Sequence, residues 1–187
     1  MASGSRGVHG RLRWLAALAL VTAFGSISAG CSQVQEDKLN YKPVDRDTAI
    51  AKKETNAVSS QLLDMMGIKG KVTEGGPGLS RCEDDGARNL YLVRHPWSLY
   101  EVPNETLEKG MANLRKQLPE HGWKILKDGK ANSKAQDPEI LAENKKLQHA
   151  AHITWMRDSA DGKPMIHISV VSACFRTPGG TELKSVW

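Results

Sequence analysis

The chain lacks several things, and each absence removes a class of protein. No apolar run approaches the roughly 20 residues that a helix needs to cross hydrocarbon; the run from Trp14 to Phe24 is about half that. Acidic residues are missing from residues 1–30, where Arg6, Arg11 and Arg13 supply the charge. Cysteine is scarce and odd in number, three in 187 residues. No C-x-x-C pair or Cys/His cluster offers a zinc or dithiol spacing. No H-E-x-x-H stretch marks a zinc protease and no G-x-S-x-G elbow marks a serine hydrolase.

What is present begins with an address. A basic head, a short apolar block and an exit of small residues (Gly25, Ser26, Ser28, Ala29, Gly30) have the anatomy of a secretory signal peptide. Ala29-Gly30-Cys31 resembles the end of a bacterial lipobox, with Ser28 standing where that pattern prefers an aliphatic residue. The resemblance implies that residues 1–30 are cleaved and that Cys31 becomes a mature N-terminus carrying a diacylglyceryl group. The protein is then tethered to the lipid bilayer at the extracytoplasmic face of the cell membrane. Two acyl chains, at roughly 0.8 kcal/mol per buried methylene, anchor far better than one. With Cys31 so used, Cys82 and Cys174 are the intrachain pair that remains, and outside the cytoplasm such a pair is expected to be oxidised.

Charge gives little direction. Three of the 26 basic residues fall in residues 1–30, so the mature part carries 23 basic against 21 acidic residues. That near balance is no footprint for nucleic acid. Removing the signal leaves enough chain for one domain with a single core.

Residues 31–45 read as the lipidated N-terminus and a flexible tether, polar and without apolar period. A single α+β domain is expected over 46–180, with a tail at 181–187. Asp47 to Met66 has the spacing of an amphipathic helix stopped by Gly67. Lys69 to Leu79, with its Gly75-Gly76-Pro77-Gly78, reads as loop, and Asn89 to His95 as a strand. Pro96 and Pro103 bracket an aromatic segment. Trp97, Tyr100 and Trp123 form a candidate binding surface, against the plainer reading that these rings cover the core edge.

Asn104 is placed as the cap of the clearest helix, where Leu107, Met111, Leu114 and Leu118 recur on one face before Pro119 and Gly122. Trp123 to Lys127 reads as a strand turned at Asp128-Gly129. The stretch from Asp137 to His149 admits a helix or a strand over Glu139–Asn144. The strand is preferred because it gives the final hairpin a neighbour. That hairpin pairs Ala151–Asp158 with Lys163–Phe175. Opposing Asp158 with Lys163 sets Trp155 against Ile166 and Ile153 against Ile168 on one apolar face, which Cys174 is expected to share. His152, Thr154 and His167 then lie on the other face.

The segment from Gly122-Trp123 to Ser172-Ala173-Cys174-Phe175 and Pro178-Gly179-Gly180 resembles small uncharacterised lipoproteins of actinobacteria. Their layout is similar: an amphipathic helix, a Gly-Trp step into a strand, and a terminal hairpin ending in cysteine. The likeness covers most of residues 46–180 and implies an address and an architecture without a motif of known chemistry.

His149 and His152, three apart, invite a metal reading, and His152 and His167 approach diagonally with Ser169 nearby; without further ligands these are polar cover. Lys145-Lys146 against anionic headgroups would contribute only about 2 kcal/mol. The expectation is therefore an α+β domain: a mostly antiparallel sheet of four to five strands, two helices on one face, one disulfide. It needs no metal or other cofactor. Its expected role is non-catalytic, binding or supporting another cell-envelope protein or component. The rivals are a solute-binding accessory lipoprotein, which requires a pocket, and a small cell-wall enzyme, which requires convergent polar groups in a cleft.

Overall fold

The structure, a computed structural model, describes residues 39, 41–82, 88–159 and 162–183. The signal segment, Cys31 and residues 184–187 lie outside them.

Two helices follow the apolar period. Helix α1 (Thr48–Met66) begins at Asp47, whose carboxylate accepts the Ala49 and Ile50 amides at 2.9 and 3.2 Å, and stops at Gly67 in the left-handed region (φ 59°). Helix α2 (Asn104–Glu120) buries Leu107, Met111, Leu114 and Leu118. Asn104 is not its cap; Pro103 holds that position without a side-chain bond. The Asn104 amide joins helix to sheet instead, accepting from Trp155 Nε1 at 3.0 Å and donating to the Arg157 carbonyl at 3.3 Å.

The strands are β1 (Lys71–Val72), β2 (Gly78–Arg81), β3 (Leu90–Tyr100), β4 (Lys124–Lys130), β5 (Pro138–Asn144), β6 (His149–Met156), β7 (Met165–Ser172) and β8 (Phe175–Arg176). They form one antiparallel sheet in the order β1-β3-β7-β6-β5-β4, with β2 and β8 also paired to β3. Eight strands replace the expected four to five. The extra ones are pieces of two to four residues, too short to show an alternation.

Strand β3 runs straight through Pro96. Ser98 spends its N–H and C=O on Thr73, at the edge of β3 away from β7. Pro96, two residues earlier, faces the same edge in the gap between β1 and β2, so its missing donor costs no ladder bond. Strand β4 likewise continues through Asp128-Gly129, pairing both with β5, after a register shift near Leu126.

Strand β5 and the register Trp155↔Ile166, Ile153↔Ile168 match the expectation. Cys174 does not. Between Ser172 and Phe175, both packed on the helix side with Val93 and Tyr91, two residues intervene instead of one. The strand slips at Ala173, and Cys174 turns to cluster with Cys82 and Leu90, against Leu92. The Cys82–Cys174 disulfide forms there, on the other face.

Both helices cover one face of the sheet. Their apolar residues meet Trp97, Leu99, Ile140, Ile153, Ile166, Ile168 and Val170 in one core. The opposite face carries no helix among the described residues. No described helix is long and apolar enough to cross a membrane.

Candidate functional site

Three places bring polar chemistry together. The first is the uncovered face of the sheet, where strand alternation stacks one row across four strands: Glu139, Thr154, His167 and Ser98. Ser98 Oγ lies 3.0 Å from His167 Nδ1. Burial holds His167 below the ordinary histidine value, and the neighbouring His152 pushes the same way. Glu139 receives Lys127 Nζ on one oxygen and His152 Nε2, at 2.8 Å, on the other. The lysine first and the histidine second hold its carboxyl below the usual range, against the opposing pull of burial.

A serine, a histidine and a carboxylate are thus neighbours, but they are not wired as a relay. The carboxylate orients His152, whereas the serine contacts His167. An orienting acid on the base is what the Ser-His-acid arrangement requires. The connected elements of this face are a paired carboxylate and a paired hydroxyl, an array suited to polar contact. Among the described residues no group of three His, Cys, Asp or Glu is disposed to hold a metal ion.

The second place is the seam between α1 and the sheet. His149 Nδ1 donates to the Leu147 carbonyl at 2.7 Å, and Nε2 meets Thr55 Oγ1 at 2.9 Å. His95 Nδ1 meets Ser59 Oγ at 2.8 Å. Burial is the main cause holding both rings below the ordinary value; the Leu147 carbonyl on His149 and the Gly75 carbonyl on His95 oppose it. With both ring nitrogens of His149 occupied, the residue fixes α1 to the sheet.

The third is a cleft of about 620 Å³ at the end of the sheet where the chain enters the domain. Its walls include Tyr41 and Lys42, the β5–β6 turn at Lys145 and Gln148, Glu143, and Ala173 beside the disulfide. The Cys174 amide donates to the Tyr41 hydroxyl at 2.7 Å, pinning the incoming chain to that end. Gln148 sits in the left-handed region (φ 59°), which closes the turn and points its carbonyl at the Ala173 amide.

Comparison with protein-family models, curated proteins and solved structures finds no match to this chain.

The expected aromatic surface is not assembled. Trp97 and Trp123 are buried in the helix-side core, with 4% and 3% of their surface exposed. Tyr100 is half-buried and belongs to the opposite face by strand alternation. The plainer reading of the two tryptophans, as core cover, describes them. Cys82 and Cys174 are joined, and Cys31 lies outside the described residues. Sequence reasoning missed Tyr41, Lys42, Glu143 and Gln148 as cleft walls. Only the fold brings residues about 100 apart to one sheet end, and no local pattern marks that juxtaposition.

Proposed function

We propose that the chain is an exported lipoprotein, held by a diacylglyceryl group on Cys31 at the extracytoplasmic face of the cell membrane. It binds or supports another component of the envelope and catalyses no reaction. The observation that carries this reading is the Cys82–Cys174 disulfide: it accounts for two of the three cysteines, suits an oxidising compartment, and leaves Cys31 for the lipid. The helix-free sheet face, with its fixed Glu139–His152 and Ser98–His167 pairs, supplies a rigid polar surface for a protein partner.

One observation favours a second reading, a solute-binding accessory. The cleft at Tyr41, Lys42 and Gln148 has the volume of a small-molecule site. Crosslinking in intact cells followed by mass spectrometry separates the two. The partner reading expects reproducible neighbours linked through the uncovered face. Absence of any reproducible neighbour, together with a small molecule co-purifying in the cleft, overturns it. The anchor is tested by metabolic palmitate labelling: Cys31→Ala loses the label, and equal labelling of both proteins refutes the lipid.

A further inference from the structure

The end of the sheet that holds the cleft also concentrates positive charge. Lys42, Lys124, Lys145 and Lys146 gather there, the last two on the exposed tip of the β5–β6 turn. Their near acid is Glu143, which faces Lys124 across the ladder and lies 3.9 Å from Lys145. Among the described residues of the cleft, the β5–β6 turn and the facing ladder position, four lysines stand against this one glutamate, with Glu54 and Arg46 as an acid and a base behind His149 in the cleft wall. Beside them stand two of the six exposed large apolar side chains among the described residues, Tyr41 (41%) and Leu147 (36%). Lysines around an exposed aliphatic and an aromatic ring are the composition of a surface that meets lipid headgroups.

The chain outside the described residues says what meets this end. Ten residues separate Cys31 from Tyr41, which is pinned to the sheet by the Cys174 amide. Even fully extended they reach at most about 35 Å. A lipid on Cys31 therefore keeps the Tyr41 end within about 35 Å of the bilayer, a limit that does not apply to the far end of the β6–β7 hairpin.

We propose that this end of the domain, with Lys42, Lys145, Lys146 and Leu147 at its tip, rests on the anionic phospholipid headgroups of the membrane that anchors Cys31. The proposal rests on the anchoring reading above and adds an orientation to it. The membrane contact gives the tethered domain a fixed stance. Each lysine near an anionic surface strengthens binding about five-fold, so the three together contribute on the order of a hundred-fold. Salt screens the contact.

The test uses the mature chain, residues 31–187 as Cys31→Ala, which carries neither the acylated residue nor the arginine-bearing apolar residues 1–30, sedimented with vesicles of phosphatidylcholine alone or mixed with phosphatidylglycerol. The expected result is binding to the mixed vesicles only, weakened by salt. In that background K42Q/K145Q/K146Q reduces the partition on the order of a hundred-fold. A control with the same charge change on exposed residues elsewhere, K109Q/K116Q/K130Q, leaves it within a few-fold. Binding to neither vesicle, equal binding to both, or equal loss in the two triple variants overturns the surface. The anchor itself fails separately, if wild-type protein from its host carries an unmodified Cys31.

Discussion

Replacing Thr55 by valine probes the bond that seats α1 on the sheet. The swap keeps the branched shape and removes one hydroxyl, at a position with no exposed surface. In the neutral ring of His149, Nδ1 carries the proton given to Leu147, and the Nε2 partner is Thr55 Oγ1 at 2.9 Å, whose single proton is shared between that nitrogen and the Ala51 carbonyl, also at 2.9 Å. Valine leaves that nitrogen buried and unpaired, which costs about 1–3 kcal/mol. The methyl gained in exchange returns about 0.8 kcal/mol at most, and helix propensity is nearly unchanged. The expected net loss is about 1–2 kcal/mol, or roughly 2–8 °C in Tm for a domain of this size.

Urea unfolding at several pH values measures it. Burial lowers His149 from 6.5, with Leu147 and Glu54 pulling it up and Arg46 down. The unfolded chain therefore takes up a proton that the folded one resists. Stability is full above about pH 6.5 and is lost progressively as pH falls below it. His95 and His167, lowered by the same cause, act in the same direction. A Thr55→Val protein as stable as wild type, or a wild type that gains stability between pH 7 and 5, would refute the reasoning.

Other perturbations read different parts of the molecule. Replacing Cys82 and Cys174 by alanine opens a loop closed across 92 residues and is expected to cost roughly 4–5 kcal/mol; a loss below about 1 kcal/mol in thermal unfolding would contradict it. A Cβ at Gly110 would come within 2.7 Å of Ile68 Cδ1 and 3.3 Å of its Cγ1, so the Ile68 side chain must move; the branched Gly110→Val is expected to destabilise by about 1–3 kcal/mol in chemical denaturation. Asn104→Ala removes the links to Trp155 in β6 and to the Arg157 carbonyl just beyond it and should cost about 1 kcal/mol, with the Trp155 fluorescence shifting as its indole loses a partner.

The legible parts of the fold were those with period or punctuation. Helix α1 with its Gly67 stop, the buried face of α2 and the hairpin register are all written in local spacing. The strand at Glu139–Asn144 followed from the needs of its neighbours rather than from its own residues. What was hidden depends on geometry that no window contains. Pro96 reads as a strand end until the gap beside it is known, and Cys174 reads as a core residue until the slip at Ala173 is seen. Asn104 resembles a cap because the cap and the cross-link to Trp155 use the same amide. The cleft is illegible for the same reason: Tyr41, Lys42 and Gln148 meet only after the sheet is assembled.

The exported, lipid-anchored state is the central claim, and intact mass spectrometry of the protein purified from its native host tests it most directly. The account predicts a chain beginning at Cys31 with a diacylglyceryl mass added, and Cys82 linked to Cys174. A chain with an unmodified residue 31, or with thiols free at 82 and 174, would contradict it.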